Sequence, residues 1–194
     1  MITNKLKKRI FPYIKNIDKI EIDDESLNYI SIKDDAILIT FLIKKYFNNV
    51  IENLSILDAM SGVGGNTFSF SKYFKKVYSI ELNKKRYDML CNNINIYELK
   101  NVETFNNNCL DLIFNIKYDI IFFDPPWGGK DYKNYKNLRL SISNIPLEDI
   151  CLKLKNKTIV LKLPKNYDLD FLKKKLNIEK LNIEKLNKML IIIL

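Results

Sequence analysis

The chain has 194 residues, of which 47% are apolar, and this is enough for one domain with a buried core. Lys and Arg number 32 against 23 Asp and Glu, so the formal net charge of +9 favours polyanionic partners, such as nucleic acid or an acidic membrane surface. The alternative is that the charge only keeps the chain soluble, and composition alone leaves both interpretations open.

The chain contains no histidine, and its three cysteines, Cys91, Cys109 and Cys151, are widely spaced. This pattern predicts neither a zinc site nor a disulfide framework, and it is typical of a protein from a reducing intracellular compartment. The basic N-terminus is not followed by an apolar signal segment, and no stretch has the length of a membrane span, so we expect a soluble, unprocessed protein. Without histidine, catalysis must rest on carboxylates, amides, backbone groups and aromatic rings.

Helical and strand patterns alternate along most of the chain. The segment Asp34–Phe47 starts with two acidic residues and continues with apolar residues at helical spacing, which predicts a helix. Further helices are predicted at Asn66–Phe74 and Lys84–Tyr97, and strands at Ser55–Asp58, Val77–Ile80, Val102–Asn106, Tyr118–Phe123 and Thr158–Leu163. The alternation predicts an α/β fold, an open and mostly parallel sheet with helices on both faces and ligands beyond the carboxyl ends of the strands.

Two later segments depart from this alternation. The stretch between Pro125 and Pro146 has no clean period, and a loop of that length is usually functional or mobile. Near the C-terminus the sequence LNIEK occurs twice in tandem, at 176–180 and 181–185, before Asn187-Lys188 and the apolar run MLIIIL. This tail predicts an antiparallel strand pair that closes the sheet edge. The pattern indicates no domain boundary.

All five glycines lie in two loops that follow predicted parallel strands: Gly62, Gly64 and Gly65 in the first, Gly128 and Gly129 in the second. Glycine lets the backbone adopt positive φ and approach a ligand closely. A glycine pair can also be only a tight turn. Because ligands of this fold bind beyond the carboxyl ends of the strands, we expect both loops to touch bound molecules.

The first loop, LDAMSGVGGN, lacks the spacing of dinucleotide-binding loops, which argues against NAD. Glu81 ends the next strand, where a carboxylate can accept hydrogen bonds from both hydroxyls of a ribose, and no pyrophosphate-binding sequence accompanies it. An adenosine without pyrophosphate suggests S-adenosylmethionine as the cofactor. The alternatives are that Glu81 stabilises the start of the next helix and that Asp58 caps the loop.

The second loop, DPPWGG at 124–129, directly follows the apolar strand YDIIFF. The exocyclic amine of a nucleobase is a poor nucleophile because its lone pair is delocalised into the ring. Asp124 and the Pro125 carbonyl can accept its hydrogens and so orient the lone pair toward an electrophilic methyl group. Trp127, the only tryptophan, offers a face for base stacking, with a cation–π gain for 7-methylguanine. The alternative is that Trp127 belongs to the core.

The pair DAMSGVGGN and DPPWGGKDY resembles the trimethylguanosine synthases, which methylate N2 of 7-methylguanosine RNA caps. The resemblance runs from Asp34 to Asn166 and implies a class I methyltransferase, with a Rossmann-like, mostly parallel seven-stranded sheet, helices on both faces and an antiparallel C-terminal strand. It also implies an N-terminal arm at 1–33 that covers the substrate site, and a catalytic domain at 34–194. An Asp-Pro-Pro-aromatic sequence alone would indicate amine methylation of some base, whereas WGG and Tyr132 point to the cap.

By position, the resemblance implies roles for individual residues. The cofactor S-adenosylmethionine would be bound by Asp58, Gly62, Gly64, Glu81, Asn108 and Asp124. The catalytic group would comprise Asp124, Pro125 and Trp127. The substrate would contact Trp127, Tyr132, Lys165, Asn166 and Tyr29, with Lys165 at a phosphate-binding position and Tyr29 as a second face for the base. Lys165 replaces the family's arginine and supplies charge without a bidentate fork, and Asn107-Asn108 replaces the usual Gly-Asp.

The sequence thus predicts a monomeric enzyme, independent of metal and membrane, that methylates N2 of the 7-methylguanosine cap of an RNA to a dimethylated or trimethylated guanosine. Two alternatives stay open. One is the same chemistry on guanine N2 of ribosomal RNA or on adenine N6. The other is a non-catalytic cap- or RNA-binding module with the same fold, against which the intact glycines and Glu81 argue.

Overall fold

Two compact units make up the chain in the computed structural model, which describes residues 2–194 and, at position 130, the backbone alone. The first unit is Met1–Asp119 and the second is Ile120–Leu194. No helix in the described part of the chain is both long and apolar enough to cross a membrane.

The first unit begins with helical segments that pack into its core. Helix α1 is Asn4–Ile10, 3-10 turns follow at Ile17–Lys19 and Ser26–Asn28, and helix α2 is Lys33–Tyr46. Apolar side chains that precede α2 are buried against a cluster further along the chain: Ile10, Phe11, Ile17, Ile20 and Ile22 against Val63, Phe68, Leu90 and Ile94. The segment predicted as an arm therefore contributes to the core of this unit, and its covering of the substrate site stays a prediction.

Three parallel strands form the sheet of the first unit, in the order β3-β2-β1. In chain order the elements are β1 Ser55–Asp58, α3 Thr67–Phe70, β2 Lys76–Ile80, α4 Lys84–Ile96, β3 Val102–Phe105 and α5 Cys109–Leu112. Asp58 lies beside Ser79 in the β1–β2 register, so both strands end at the same edge. This register brings Glu81 and the glycine loop together, because each directly follows one of the two strands.

The second unit contains four strands in the order β4-β7-β9-β8 and one short hairpin. In chain order the elements are β4 Ile120–Phe123, a 3-10 helix Gly129–Asn134, β5 Ser141–Ile142, β6 Ile145–Pro146, α6 Leu147–Lys153, β7 Thr158–Pro164, α7 Leu169–Leu176, β8 Asn182–Lys185 and β9 Met189–Ile193. Strand β7 is parallel to β4, and β9 is antiparallel to both β7 and β8. The seven long strands form a mostly parallel sheet with one antiparallel strand, which confirms the predicted fold class.

Most elements predicted from periodicity agree with the structure to within two residues at each end. The helix predicted at 66–74 is the exception, since α3 ends at Phe70 and turns follow. In these turns the Asn101 amide donates to the carbonyls of Ser71 and Phe74, at 2.9 and 3.0 Å. A side-chain donor from a distant part of the chain thus satisfies backbone carbonyls in the turns that replace the end of the predicted helix.

The C-terminal tail forms the predicted antiparallel strand pair, but the two LNIEK copies have different structures. The second copy lies in β8, where Asn182 pairs with Ile193 of β9. The first copy ends helix α7, and Asn177 adopts a left-handed φ of 53°, which is a common way to stop a helix. Identical sequence thus has different structure here because only the second copy has a strand partner.

The segment between Pro125 and Pro146 is more ordered than the sequence indicates. It contains the 3-10 helix and the β5–β6 hairpin, whose turn residues Ser143 and Asn144 have φ values of 48° and 65°. Buried Glu148 of α6 accepts hydrogen bonds from the Tyr167 hydroxyl at 2.9 Å and pairs with Arg139 Nε at 3.5 Å. These contacts tie the end of the segment to the body of the second unit.

Candidate active site

The glycine loop after β1 leaves open space on one side. Gly62 has a φ of 55° and Gly64 one of 108°, and L side chains rarely adopt such values. A Cβ at Gly64 would lie 2.6 Å from the Phe68 ring, whereas a Cβ at Gly62 would have nothing within 4 Å. The backbone at Gly62 is therefore accessible to a ligand, and this suits the predicted cofactor loop.

Asp58 supports the same loop. Its Oδ2 accepts a hydrogen bond from the Thr67 hydroxyl at 2.7 Å, and its carbonyl accepts one from the Ser61 hydroxyl at 2.9 Å. The side chain is 1% exposed. These contacts are those of a loop-capping residue, and a contact of Asp58 with the cofactor stays a prediction.

Glu81 faces the glycine loop with an oriented carboxylate. Its Oε2 accepts from the Gly62 N–H at 2.9 Å, and its Oε1 accepts from the Asn83 N–H at 2.8 Å and from Arg86 Nε at 3.3 Å. An ionised carboxylate has about four acceptor sites, so these contacts leave capacity for a hydroxyl donor. Glu81 is thus held beside the open side of Gly62, where a ribose diol could reach it.

Arg86 connects Glu81 to the segment before α2. Its Nη1 lies 3.4 Å from Glu25 Oε2, and its guanidinium carbon lies 5.8 Å from the centre of the Tyr29 ring, which is 45% exposed. Gly65 packs against the same segment, since a Cβ there would lie 2.8 Å from the Ser31 carbonyl oxygen. Tyr29 therefore stands near the predicted ribose acceptor in the first unit. Arg86 is absent from the predicted site, although its place in the first turn after Glu81 was a usable signal.

Two asparagines of the first unit have buried or capping positions. Asn66, the last residue of SGVGGN, is 6% exposed, and its Oδ1 has no hydrogen-bond partner among the described residues. A buried acceptor of this kind is uncommon, and a donor on a ligand could satisfy it. Asn108 uses its Oδ1 to cap helix α5 by accepting from the Leu110 N–H at 3.1 Å. The contact of Asn108 with the cofactor stays a prediction.

In the second unit, Asp124 directly follows β4 and forms an ion pair that the sequence analysis missed. Phe123 of β4 lies beside Leu161 of β7 in the parallel register, so the next residues, Asp124 and Lys162, are neighbours. The Lys162 ammonium donates to Asp124 Oδ2 at 2.6 Å. Lys162 is 4% exposed. The signal was a single lysine inside the apolar strand TIVLKLP, because a buried ammonium requires a partner.

Burial and the ion pair have opposite effects on the pKa of Asp124, the predicted amine acceptor. Burial raises the pKa of the Asp124 carboxyl above its usual value, and the Lys162 ammonium opposes this rise by stabilising the ionised form. The same ammonium lies 5.7 Å from the centre of the Trp127 ring. One buried cation therefore lies beside both Asp124 and Trp127, the two side chains of the DPPWGG loop for which the sequence predicts roles.

Trp127 is half-buried and packs edge-to-face with Tyr132, with ring centres 5.2 Å apart at 71°. Its Nε1 is buried and has no hydrogen-bond partner among the described residues. Gly128 and Gly129 have φ values of 92° and 72°, and a Cβ at either would have nothing within 4 Å among the described residues. The loop thus brings together Trp127 and Tyr132 beside open space, an arrangement that fits a stacked base better than a core tryptophan.

The side chain of Asn166 forms hydrogen bonds with the backbone of the segment that contains Tyr132. Its side-chain amide donates to the carbonyls of Tyr132 and Tyr135, both at 2.7 Å. Asn166, Tyr132 and the exposed Lys165 line a cleft of about 360 Å³ together with Lys133 and Lys188. The structure therefore brings three predicted substrate residues to one cleft, and it adds two lysines that could bind phosphate.

No cluster of three or more His, Cys, Asp or Glu side chains that could hold a metal ion occurs within residues 2–194, position 130 aside. The chemistry available in the two loops is that of carboxylates, amides, backbone groups and aromatic rings.

A family model described as RNA cap guanine-N2 methyltransferase matches residues 53–191. An uncharacterized protein of Acanthamoeba polyphaga mimivirus is 38% identical over 216 residues, which cover 97% of this chain and 84% of the viral protein. The trimethylguanosine synthase of Schizosaccharomyces pombe is 31% identical over 124 residues, which cover 59% of this chain and 52% of the yeast enzyme. The match thus spans about half the length of that enzyme.

Solved methyltransferase structures have the same fold. The precorrin-6y C5,15-methyltransferase of Geobacter metallireducens has a TM-score of 0.59 at 14% identity, and the match covers 91% of this chain and 93% of that chain. TYW2 of M. jannaschii, solved in complex with AdoMet, has a TM-score of 0.53 at 18% identity, with 92% and 78% covered. At these identities the similarity concerns the fold alone.

Proposed function

Because the chain belongs to the RNA cap guanine-N2 methyltransferase family, we propose that it methylates the N2 amine of a 7-methylguanosine cap on RNA. The family makes it a methyltransferase, and S-adenosylmethionine as the methyl donor and the cap as the substrate are the proposed parts. The observation that carries the proposal is the DPPWGG loop, whose Asp124 and Trp127 both lie near the Lys162 ammonium and whose Trp127 packs against Tyr132 of the following 3-10 helix. Asp124 offers an acceptor for an amine, and the two rings offer an aromatic wall.

The residues of the first unit fit the cofactor. The open side of Gly62 admits a ligand against the backbone, and Glu81 beside it can accept from ribose hydroxyls. The unpartnered Oδ1 of Asn66 suits the ammonium group of the methionine part. Asp58, Gly64 and Asn108 complete the proposed set. When bound, S-adenosylmethionine supplies an electrophilic methyl group on a sulfonium.

The residues of the second unit fit an exocyclic amine on a base. Asp124 and the Pro125 carbonyl accept the two amine hydrogens and so direct the nitrogen lone pair away from the ring plane. Trp127 stacks on the base, and a 7-methylguanine, which is cationic, gains more from that face than an unmethylated guanine. Tyr132 lines the pocket, and Tyr29 of the first unit is proposed as a second base contact. As the N2–carbon bond forms, the methyl–sulfur bond breaks, and the amine loses one proton to water.

The test of the substrate proposal is a pair of calorimetric titrations. Protein saturated with S-adenosylhomocysteine is titrated with a 7-methylguanosine-capped dinucleotide and with its unmethylated counterpart. We expect the methylated cap to bind at least about tenfold more tightly, because a cation–π contribution of about 1.4–2 kcal/mol applies to it alone. Equal affinities would contradict the cap assignment and favour the ribosomal guanine alternative.

Lys165→Ala is expected to weaken binding of the capped dinucleotide about fivefold, or ~1 kcal/mol, while binding of the 7-methylguanosine nucleoside is unchanged. The reason is that the proposed partner of this exposed ammonium is a phosphate, and exposed charge pairs contribute about this much. Lys155→Ala, an exposed lysine outside the cleft, is the matched control and should change neither affinity. Equal losses for cap and nucleoside in Lys165→Ala would place Lys165 outside the phosphate site.

A further inference from the structure

Lys162 is buried in an apolar strand, a position where packing alone does not require a lysine. It lies in β7 within TIVLKLP, where its neighbours along the strand are buried and apolar, and it is itself 4% exposed. Burying an ammonium in such a place is unfavourable unless a partner and hydrogen bonds compensate for the lost water. An apolar residue at position 162 would pack in the strand without a partner or hydrogen bonds to compensate for lost water. Packing alone therefore does not explain the charged side chain.

The partner of Lys162 is the proposed amine acceptor itself. The ammonium donates to Asp124 Oδ2 at 2.6 Å, so in the proposed function Oδ1 is the oxygen that would accept from the substrate amine. The same ammonium lies 5.7 Å from the centre of the Trp127 ring, the proposed base platform. The buried Lys162 ammonium therefore contacts Asp124, the proposed acceptor of the amine hydrogens. It also lies near the Trp127 ring, the proposed stacking surface for the base.

We propose that Lys162 is a positioning residue for the methyl transfer, which fixes the rotation of the Asp124 carboxylate so that Oδ1 faces the amine. This inference rests on the proposed function only in assigning the amine to Asp124, and it holds for any base amine methylated there. It adds a residue that neither the sequence motifs nor the family match assigns.

Lys162 also contributes to the protonation equilibrium of Asp124 by favouring the ionised carboxylate. A protonated Asp124 could donate one hydrogen bond and would accept an amine hydrogen less strongly than the carboxylate does. Burial raises the pKa of Asp124, and Lys162, the charged side chain that the structure records acting on it within the described residues, lowers it. Without the ammonium the pKa of Asp124 rises further, so that a smaller fraction is ionised at a given pH.

The first test is the pH dependence of kcat in the full chain, for wild type, Lys162→Met and Lys162→Arg, with whichever base substrate the wild type methylates. In Lys162→Met we expect kcat to fall about tenfold near neutral pH and its acid limb to move upward by about one pH unit or more. The affinity for S-adenosylmethionine should be unchanged. Lys162→Arg keeps a cation and should leave the acid limb at its wild-type position. Lys155→Met serves as the neutralised-lysine control.

The second test separates this role from a purely structural one. Asp124→Asn and the double variant Asp124→Asn/Lys162→Met remove the carboxylate, and the double variant contains no unpaired charge, so it folds even where Lys162→Met does not. If Lys162 acts through Asp124, the double variant keeps the kcat of Asp124→Asn within about twofold. A further tenfold loss, or an acid limb that does not move in folded Lys162→Met, would overturn the proposal. If the wild type methylates another base and does not methylate the cap, the proposed substrate is wrong. The role of Lys162 at Asp124 would still stand.

Discussion

Replacement of Trp127 by alanine is expected to lower kcat/KM for capped RNA at least a hundredfold while the affinity for S-adenosylmethionine stays within about twofold. Stacking contributes ~1–3 kcal/mol per base, and the cation–π interaction with 7-methylguanine adds ~1–2 kcal/mol. The ring of Trp127 also supports Tyr132 at 5.2 Å, so its removal loosens a second wall of the pocket. Initial rates with labelled methyl donor measure the first quantity, and calorimetry measures the second.

Two variants make the Trp127 result interpretable. Trp127→Phe keeps a smaller aromatic face and should retain part of the preference for the methylated cap. Tyr135→Ala removes an aromatic ring of the same segment that is 59% exposed, and it should leave kcat/KM within about threefold. Should Trp127→Ala lose its thermal unfolding transition, the tryptophan would belong to the core and the stacking role would have no support.

Replacement of Glu81 by alanine is expected to weaken S-adenosylmethionine binding about a hundredfold. The carboxylate accepts from Gly62 at 2.9 Å and from Asn83 at 2.8 Å, and it is proposed to accept from the ribose as well. Hydrogen bonds to a charged group contribute ~1.5–3 kcal/mol, and the loss of the Gly62 contact also releases the glycine loop. Calorimetric titration with the cofactor gives the change directly.

Glu25→Ala is the matched control for Glu81. It removes an exposed carboxylate that lies 3.4 Å from the other end of the same arginine, Arg86, without touching the glycine loop. Exposed ion pairs contribute little, so the cofactor affinity should change by less than about threefold. Unchanged affinity in Glu81→Ala itself would remove Glu81 from the cofactor site.

Local sequence signals were sufficient for the strands of the seven-stranded sheet, for helices α2 and α4 and for both glycine loops, whereas helices α1, α5, α6 and α7 and the β5–β6 hairpin were not predicted. The apolar run before Asp124 and the glycines after β1 are contiguous in sequence, so their structure follows from short-range pattern and turn chemistry. The positive φ values at Gly62, Gly64, Gly128 and Gly129 agree with the expectation that these loops need glycine. The membership of the family, too, is recognisable in these two motifs, because they carry the chemistry of the site.

Contacts between distant residues were not predictable in the same way. The pair Asp124–Lys162 depends on the register of β4 against β7, and a pattern within either strand does not specify that register. The packing of the segment before α2 depends on Asn93, whose side chain pairs with the backbone of Glu21 at 2.7 and 2.8 Å across 72 residues. Such pairs of distant residues depend on the tertiary structure, so composition and periodicity do not reveal them.

The most direct measurement is mass spectrometry of the products formed with S-adenosylmethionine and three RNAs in parallel: one with a 7-methylguanosine cap, one with an unmethylated cap, and one uncapped and containing adenine. We expect a gain of one or two methyl groups on the guanine N2 of the first RNA, at least about tenfold less on the second, and none on the third. Methylation of adenine N6 or of internal guanines, with the 7-methylguanosine cap unmodified, would contradict the assignment of the cap as substrate.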